Sequence, residues 1–481
     1  MELRHQVRRI LPVVMLVCSL APAQAQTQFF QQGPKLVGTG AVGPDTPEQG
    51  VSVSLSGDGN TAIVGGIADN HGAGAAWVFT RSEGVWSQQA KLVGTGAVGT
   101  PEQGISVSLS GDGNTAIVGG FLDNNAVGAV WVFTRSGGVW SQQGPKLVGT
   151  GALGSNVQQG ISVSLSGDGN TAIIGGPGDS NVVGAAWVFA RSGRVWSQQG
   201  PKLVGTGAVG SFLQQGRSVS LSGDGDTAII GGPNDNNDSG AAWVFTRSGG
   251  VWSQQGPKLV GTGAVGSIVG QGASVSLSGD GNTAIVGGPA DNPPPGFTGI
   301  GIGAAWVFTR SEGVWNQQVK LVGTDAIGNA SQGVSVSISG DGNTGIVGGY
   351  TDNNDAGAAW LFTRSGGVWS QQGPKLVGTG AVGSIAGQGT SVSLSGDGNT
   401  AIVGGPGDNK SAGAAWVFAP FAGTPGKANC YGKSVSALVR QYHGLNAAAA
   451  ALGFSSVRAL QNAILAFCEG CRPTSHGHDC D

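Results

Sequence analysis

Seven acidic residues recur at one position of a repeated sequence and are the first candidates for chemistry. They are Asp69, Asp123, Asp179, Asp235, Asp291, Asp352 and Asp408. A ring of carboxylates could attract a cation or a basic partner, and two carboxylates could act as acid and base in a hydrolase or lyase. Asp235 and Asp291 are the candidates for ligand binding or catalysis. An Asp followed by Asn also suits a tight loop, and this is the interpretation we prefer.

Other side chains that enzymes use are scarce. In residues 29–419 the only His is His71, and the Glu residues are Glu48, Glu83, Glu102 and Glu312. No Ser stands at the spacing of a nucleophile elbow that would support a Ser-His-Asp arrangement through His71. The sequence therefore predicts a protein that is not an enzyme. A carboxylate-based extracellular hydrolase or lyase is the alternative.

The composition narrows the fold class. Of 481 residues 92 are Gly, only 11% are charged and the net charge is −3. Collagen is excluded because there is no Gly-X-Y period, and the 39% apolar content with 13 Trp argues against disorder. No cluster of Lys and Arg is available to neutralise phosphates, so a nucleic-acid partner is not expected. A β-protein rich in turns remains.

The first 25 residues resemble a secretory signal peptide. Arg4, Arg8 and Arg9 precede an apolar stretch from Ile10 to Leu20, which is too short to span a bilayer. Ala23-Gln24-Ala25 has the small-x-small pattern of a cleavage site. We therefore expect a secreted or periplasmic protein without a transmembrane segment in the mature chain.

The elements that must position the acidic residues are repeated seven times. The phrase Ser-Gly-Asp-Gly places an Asp at 58, 112, 168, 224, 280, 341 and 397. Each repeat contains four strand-like runs, beginning with the strict alternation Ser52-Val53-Ser54-Leu55-Ser56. Four antiparallel strands repeated at about 55 residues predict an all-β fold, a seven-bladed β-propeller. A linear solenoid is the competing geometry.

The two ends of the repeated region are complementary. The seventh repeat lacks its Gly-Val-Trp strand, whereas residues 29–36 align with residues 140–147, with Phe29 in the place of Trp140. We expect this N-terminal strand to complete the last blade and close the ring. The predicted domains are a signal peptide (1–25), the propeller (26–422), and a linker with a small helical module (423–481).

Two kinds of repeated residue are expected to have no part in ligand binding. The Trp and Phe of each Ala-Ala-Trp-Val-Phe phrase are expected to fill the space between blades, since burying such a side chain contributes about 1.5–3 kcal/mol. The Lys of each Lys-Leu-Val-Gly-Thr phrase is expected to be solvated. These lysines are Lys35, Lys91, Lys146, Lys202, Lys258, Lys320 and Lys375.

The C-terminal module holds four cysteines, Cys430, Cys468, Cys471 and Cys480. In an exported protein an even number of cysteines predicts two disulfides, with three connectivities open. We prefer Cys430–Cys468, because these residues flank the first and last predicted helices. Zinc ligation by Cys468, Cys471 and Cys480 with His476 and His478 is the alternative.

The stretch from Gln49 to Gly66, followed by Asp-Asn and Gly-Ala-Ala-Trp-Val-Phe, resembles bacterial FG-GAP repeats. These are similar to the repeats of the integrin α-subunit N-terminal propeller. The resemblance covers residues 29–419 and implies a seven-bladed propeller, an extracellular setting and a role in adhesion or recognition. Many such blades bind calcium through an Asp-x-Asp-x-Asp-Gly loop. Here only the fourth repeat has two carboxylates, Asp224 and Asp226, so weak calcium binding is expected there if anywhere, and no other cofactor.

Strand order divides the loops between two faces. One face carries the near-identical Ser-Gly-Asp-Gly and Arg-Ser-Gly turns, and the other carries loops that differ between repeats. Because recognition usually lies on variable loops of a rigid scaffold, we expect a ligand on the second face. The candidate hydrophobic contacts there are Phe297, Phe121, Phe212 and Tyr350. The expected partner of this monomer is an extracellular protein or a glycan.

Overall fold

The computed structural model describes residues 29–43, 46–82, 84–296, 300–420, 430–442, 444–451, 456–469, 473–474 and 477–478. Within these residues the chain forms seven four-stranded antiparallel sheets, the blades of a propeller. The first strands of successive blades contact one another around the central axis, and the last of them contacts the first. The predicted seven-bladed β-propeller is therefore confirmed. The alternative of a linear solenoid is excluded, because the array of blades closes on itself.

Each blade is built outward from its innermost strand. The first strands are Ser52–Leu55, Ser106–Leu109, Ser162–Leu165, Ser218–Leu221, Ser274–Leu277, Ser335–Ile338 and Ser391–Leu394. The second strands are Thr61–Gly66, Thr115–Gly120, Thr171–Gly176, Thr227–Gly232, Thr283–Gly288, Thr344–Gly349 and Ala401–Gly405. The third strands are Ala75–Ser82, Ala129–Ser136, Ala185–Ser192, Ala241–Ser248, Ala304–Ser311, Ala358–Ser365 and Ala414–Ala419. The fourth strands of blades 1 to 6 are Val85–Leu92, Val139–Gln142, Val195–Gln198, Val251–Gln254, Val314–Leu321 and Val368–Gln371.

The fourth strand of blade 7 comes from the start of the chain, as predicted. Phe30–Gln31 pairs antiparallel with the third strand of that blade, Phe30 opposite Ala419 and Gln31 opposite Phe418. Leu36 then forms a bridge with Ala415. The ring is closed by these contacts between the two ends of the repeated region.

The length of a fourth strand follows from one sequence difference. Blades 1 and 5 have fourth strands of eight residues, whereas blades 2, 3, 4 and 6 have four. The short ones are followed by Gly-Pro, as at Gly144-Pro145. Because proline has no N–H for the ladder, pairing stops there and resumes only as an isolated bridge, for example between Leu147 and Val130.

The core lies between the blades. The third-strand tryptophans are fully buried, and each packs in a cluster that joins two neighbouring blades, as Trp77 does with Ile402 and Val417. The linker that precedes the blade lies against the indole ring: a Cβ at Gly38 would come within 2.2 Å of Trp77. The indole N–H of Trp77 donates to the carbonyl of Thr39 at 2.9 Å. The predicted packing role of these aromatic residues is confirmed.

The C-terminal residues form helices Cys430–Tyr442, Leu445–Ala451 and Val457–Glu469, and a two-residue hairpin of Pro473–Thr474 with Gly477–His478. A disulfide joins Cys430 to Cys468, which confirms the preferred pairing and removes Cys468 from the alternative zinc set. Cys471 and Cys480 lie outside the described residues, as do the signal peptide and the predicted domain boundary at 422. In the described part of the chain, no helix has the length and apolarity needed to cross a membrane.

The helical module contacts the strand that closes the ring. Its small core contains Leu438, Leu460 and Ile464, and Phe30 packs against that core. Phe29, the neighbouring residue, points instead into the core of blade 7 beside Trp416 and Phe418. Two adjacent aromatic residues therefore link the closing strand to both structural regions, as alternation along a β-strand allows.

Candidate binding face

The propeller has two unlike faces. The turns between first and second strands and between third and fourth strands form the uniform face. The connections between second and third strands, together with the linkers between blades, form the variable face. This division agrees with the one expected from strand order.

The turns of the uniform face are fixed by their own side chains. In blade 1, Ser56 Oγ and the Asn60 N–H donate to Asp58 Oδ1 at 2.6 and 2.9 Å. Burial opposes the charged form of Asp58, but these hydrogen bonds and the nearby charge of Arg81 outweigh it and lower its pKa. The Asp of this turn therefore serves the fold.

Backbone hydrogen bonds join these turns around the axis. The Gly57 N–H donates to the carbonyl of Gly111 at 2.8 Å, Gly111 donates to Gly167 in the same way, and the pattern continues to Gly396. The Asp397 N–H closes the ring on the carbonyl of Gly57 at 3.3 Å. A Cβ at Gly57 would lie 3.0 Å from the Gly111 oxygen, so the close approach favours glycine. The invariance of the uniform face is explained by this ring.

Arginine and tryptophan side chains hold neighbouring blades together at the rim of the uniform face. The guanidinium of Arg135 stacks over the Trp140 ring at 5.4 Å, and both side chains donate to Gln89 Oε1 of the preceding blade. At the seam between blades 7 and 1 the arrangement is incomplete: Arg81 donates to Gln32, but the buried indole N–H of Trp86 has no partner among the described residues.

The recurring Asp residues of the variable face are buried and are not accessible to a ligand. Asp235 and Asp291 are each 1% exposed. Asp235 Oδ1 accepts the Val209 N–H at 2.7 Å and Oδ2 pairs with Lys258; the Asp291 carboxylate pairs with Lys320 at 2.7 Å. The same pair occurs in all seven blades. Each Asp thus joins the linker before its blade and a Lys at the end of the fourth strand, or just beyond it, to the loop between second and third strands.

These loops also explain the Asp-Asn sequence. In blade 1 the two residues after Asp69, Asn70 and His71, have φ of 50° and 58°. Asparagine tolerates this left-handed conformation better than most residues, so the predicted role of Asp-Asn in a tight loop is confirmed. The expectation that the seven lysines are solvated was wrong: their side chains are only 15% to 21% exposed and each is ion-paired.

The variable face presents exposed aliphatic and aromatic side chains, whereas the exposed apolar residues beside the uniform face are the valines that begin the fourth strands. Every linker carries at least one aliphatic residue that is 51% to 61% exposed, at an equivalent position. These residues are Val42, Val98, Leu153, Val209, Val265, Ile327 and Val382. Phe212 is 64% exposed and Tyr350 39%, whereas Phe121 is half-buried and Phe297 lies outside the described residues. Ile385, 61% exposed, is a further contact candidate that the aromatic-based prediction missed.

Comparison with protein families identifies the repeat. Residues 86–133 and 315–362 match the FG-GAP repeat. Each matched segment runs from the fourth strand of one blade to the third strand of the next. This chain is a seven-bladed β-propeller with FG-GAP repeats.

Two further comparisons give no function for this FG-GAP propeller. None of the curated protein sequences matches it. Among solved structures it is similar to the hydrazine synthase of Kuenenia stuttgartiensis, with 12% sequence identity and a TM-score of 0.49 over 79% of this chain and 98% of that one. So distant a similarity carries nothing about activity.

The Ser-Gly-Asp-Gly turn of blade 4 uses both of its carboxylates within the fold. Asp224 accepts hydrogen bonds from Ser222 Oγ and the Asp226 N–H, and Asp226 pairs with Arg247 at 2.6 Å. Calcium prefers six to eight oxygen ligands, several of them carboxylate. Among the described residues no group of three or more His, Cys, Asp or Glu could hold a metal ion.

We therefore expect that millimolar calcium leaves the melting temperature of the EDTA-treated protein unchanged, because Asp226 is already neutralised by Arg247. Calorimetry with and without calcium measures this, with Asp226→Asn as the matched variant. A calcium-dependent rise in the melting temperature that Asp226→Asn abolishes would restore the calcium site.

Acid should weaken the FG-GAP propeller through its turns. The pKa values of Asp58, Asp112, Asp168 and Asp280 are lowered because hydrogen bonds from the turn and a nearby Arg outweigh the effect of burial. A carboxylate with a lower pKa in the folded chain stabilises it above about pH 4, and that stabilisation is lost as the pH falls through the folded-state pKa.

The free energy of unfolding, measured by urea titration between pH 7 and pH 2.5, should therefore fall below about pH 4. Asp168→Asn should be less stable than the native chain at pH 7, with the difference shrinking below pH 4. The control is Asp355→Asn, at an exposed loop position on the opposite face. A difference for Asp168→Asn that does not change with pH would contradict this account.

Proposed function

We propose that this FG-GAP propeller is an exported, non-enzymatic binding scaffold that presents its variable face to a protein or glycan, in adhesion or recognition. The exposed aliphatic residue on every interblade linker carries the proposal, together with Phe212 and Ile385. Large apolar side chains gathered on one surface of a soluble protein commonly mark an interaction site. The valines that begin the fourth strands beside the uniform face are also exposed, by 59% to 71%, but the strongly exposed aromatic residues of the described chain, Phe212 and Tyr350, lie on the variable face. The turn carboxylates and arginines of the uniform face are bonded within the fold.

Export is supported by two observations. The first 25 residues have the pattern of a signal peptide. The Cys430–Cys468 disulfide belongs to an oxidising compartment, where such bonds persist. Both fit the extracellular setting that is typical of FG-GAP repeats.

The hydrolase or lyase alternative is less well supported. It requires loop carboxylates that reach a substrate, and Asp235 and Asp291 are buried and ion-paired. A catalytic acid or base must lie within hydrogen-bond reach of the reacting group. We therefore place the role of these residues in positioning the linkers.

A binding screen with matched surface variants tests the proposal. The mature protein is applied to a glycan array and used in pull-downs from extracellular fractions, followed by direct titration of each hit. Phe212→Ser/Ile385→Ser on the variable face should abolish binding. Val139→Ser/Val195→Ser replaces side chains that are 71% and 70% exposed beside the uniform face and should leave binding intact. Equal binding by both double variants would exclude the variable face.

A further inference from the structure

One position at the axis breaks the sevenfold pattern of the propeller. The residue immediately before each first strand stands at the end of that strand nearest the variable face. In six blades it is uncharged: Val51, Ile105, Ile161, Ala273, Val334 and Thr390. In blade 4 it is Arg217, directly before Ser218–Leu221. Because the first strands surround the axis, Arg217 places a single positive charge at the mouth of the central channel.

The guanidinium of Arg217 has no use within the fold. It makes no hydrogen bond or ion pair with any residue in the described part of the chain, and its side chain is exposed to solvent. The rim arginines differ: Arg247, for example, pairs with Asp226, stacks over Trp252 and donates to Gln199. A residue that the fold does not employ, at a position that is otherwise uncharged, is a candidate for ligand binding.

Arg217 stands where the first strands converge, with protein atoms around it and solvent access to its side chain. Protein atoms lie close enough to lower the pKa of Arg217 by desolvation, and no carboxylate acts on it in return. Solvent nevertheless reaches the side chain. Partial desolvation together with solvent access is the combination expected for a residue on the wall of an open channel. The next blade leaves room beside it, with Ala273 and Gly270 at the positions where blade 4 has Arg217 and Gln214.

The acidic residues of the same loops belong to the first two blades. Glu48 and Glu102 occupy the position where blade 4 has Gln214. Burial and the charge of Glu48 together raise the pKa of Glu102, but neither carboxylate acts on Arg217. The positive charge in blade 4 therefore remains available to an external anion.

We propose that Arg217 binds the acidic side chain of a peptide segment that lies across the axial mouth of the variable face. This rests on the proposed function and names the partner class. A guanidinium presents paired donors that match a carboxylate. The linker that leads to Arg217 carries exposed aliphatic and aromatic side chains, Val209 at 52% and Phe212 at 64%. Aliphatic neighbours suit apolar peptide side chains that flank an Asp or Glu, and an acidic glycan is the other outcome of the test.

The test selects peptides on the full chain. Random nonapeptides displayed on phage are selected against the protein, and the enriched sequences are synthesised with amidated C-termini and titrated by fluorescence anisotropy. We expect them to contain Asp or Glu beside aliphatic residues. Arg217→Gln should weaken binding about ten- to a hundredfold, as should replacement of the peptide acid by its amide. The double replacement should cost little more than either single one.

Arg194→Gln is the matched control, because Arg194 is an exposed arginine of blade 3 in a turn of the uniform face. It should leave the affinity unchanged, and unchanged melting temperatures should show that both variants fold. Enriched peptides without acids, equal losses in the two variants, or no enrichment would overturn the proposal. So would oligogalacturonate binding that depends on Arg217 while peptides fail. Glycan binding that requires Phe212 but not Arg217 would reject this inference and leave the proposed function standing.

Discussion

A chain that lacks residues 26–36 should lose about 5 kcal/mol or more of its free energy of unfolding. The deletion removes the strand Phe30–Gln31 from blade 7 and the bridge between Leu36 and Ala415. It takes Phe29 out of the core. It also removes Lys35 from Asp408, whose carboxylate is 1% exposed and would remain buried without its cation. Such a loss is a large part of the stability of a typical domain.

Urea denaturation and calorimetry measure the loss, and a peptide of residues 26–36 added in trans supplies the control. If the deletion acts by opening the ring, the peptide should raise the melting temperature in a concentration-dependent way, since it binds only the folded state. The deleted protein should also self-associate, because the third strand of blade 7 becomes an exposed edge. Unchanged melting after the deletion would contradict ring closure by these residues.

The ring closure could be predicted because it depends on sequence similarity between distant parts of the chain. Residues 29–36 repeat the pattern of residues 140–147, so the strand missing from the seventh repeat could be found at the other end. The burial of Trp77 and its equivalents was predictable for a related reason. A large aromatic residue at one position of every repeat is best explained by the one environment that every repeat shares, the interface with its neighbour.

The ion pairs could not be predicted from local pattern. Asp235 and Lys258 are 23 residues apart and lie in a loop and a linker, and neither strand nor helix periodicity relates two such positions. Each residue alone has an ordinary interpretation, a turn Asp and a surface Lys. The available signal was that both recur in all seven repeats, as do Asp69 and Lys91 in the first.

Arg217 was missed for the opposite reason. A pattern defined by what the seven repeats share contains no signal for a residue that occurs in one repeat only. A comparison of the seven residues before the first strands would have shown one charge among uncharged side chains. Its placement at the channel mouth, however, required the closed ring, because the sequence gives no curvature to the array of blades.

Replacement of Lys258 by Met should destabilise the propeller by about 3–5 kcal/mol, although Lys258 lies in a linker and not in a strand. Met keeps the length and apolar stem of Lys. The Asp235 carboxylate, 1% exposed, then keeps only the Val209 N–H as a donor among the described residues. The stability loss comes from this buried charge, because the isolated carboxylate is poorly solvated inside the protein. Urea denaturation at pH 7 measures it.

A double replacement separates the charge from the packing. Asp235→Asn/Lys258→Met removes the buried charge along with its cation, so it should be more stable than Lys258→Met alone. Lys410→Met changes an exposed Lys on the same face and should shift the free energy of unfolding by no more than about 0.5 kcal/mol. If Lys258→Met were as mild as Lys410→Met, the seven pairs would not hold the linkers. If Lys258→Met is severely destabilising, the pair serves the fold. Any loss of binding in an Asp235 variant must then be compared with its loss of stability, because a positioning residue lowers both, whereas a residue that contacts a ligand lowers binding alone.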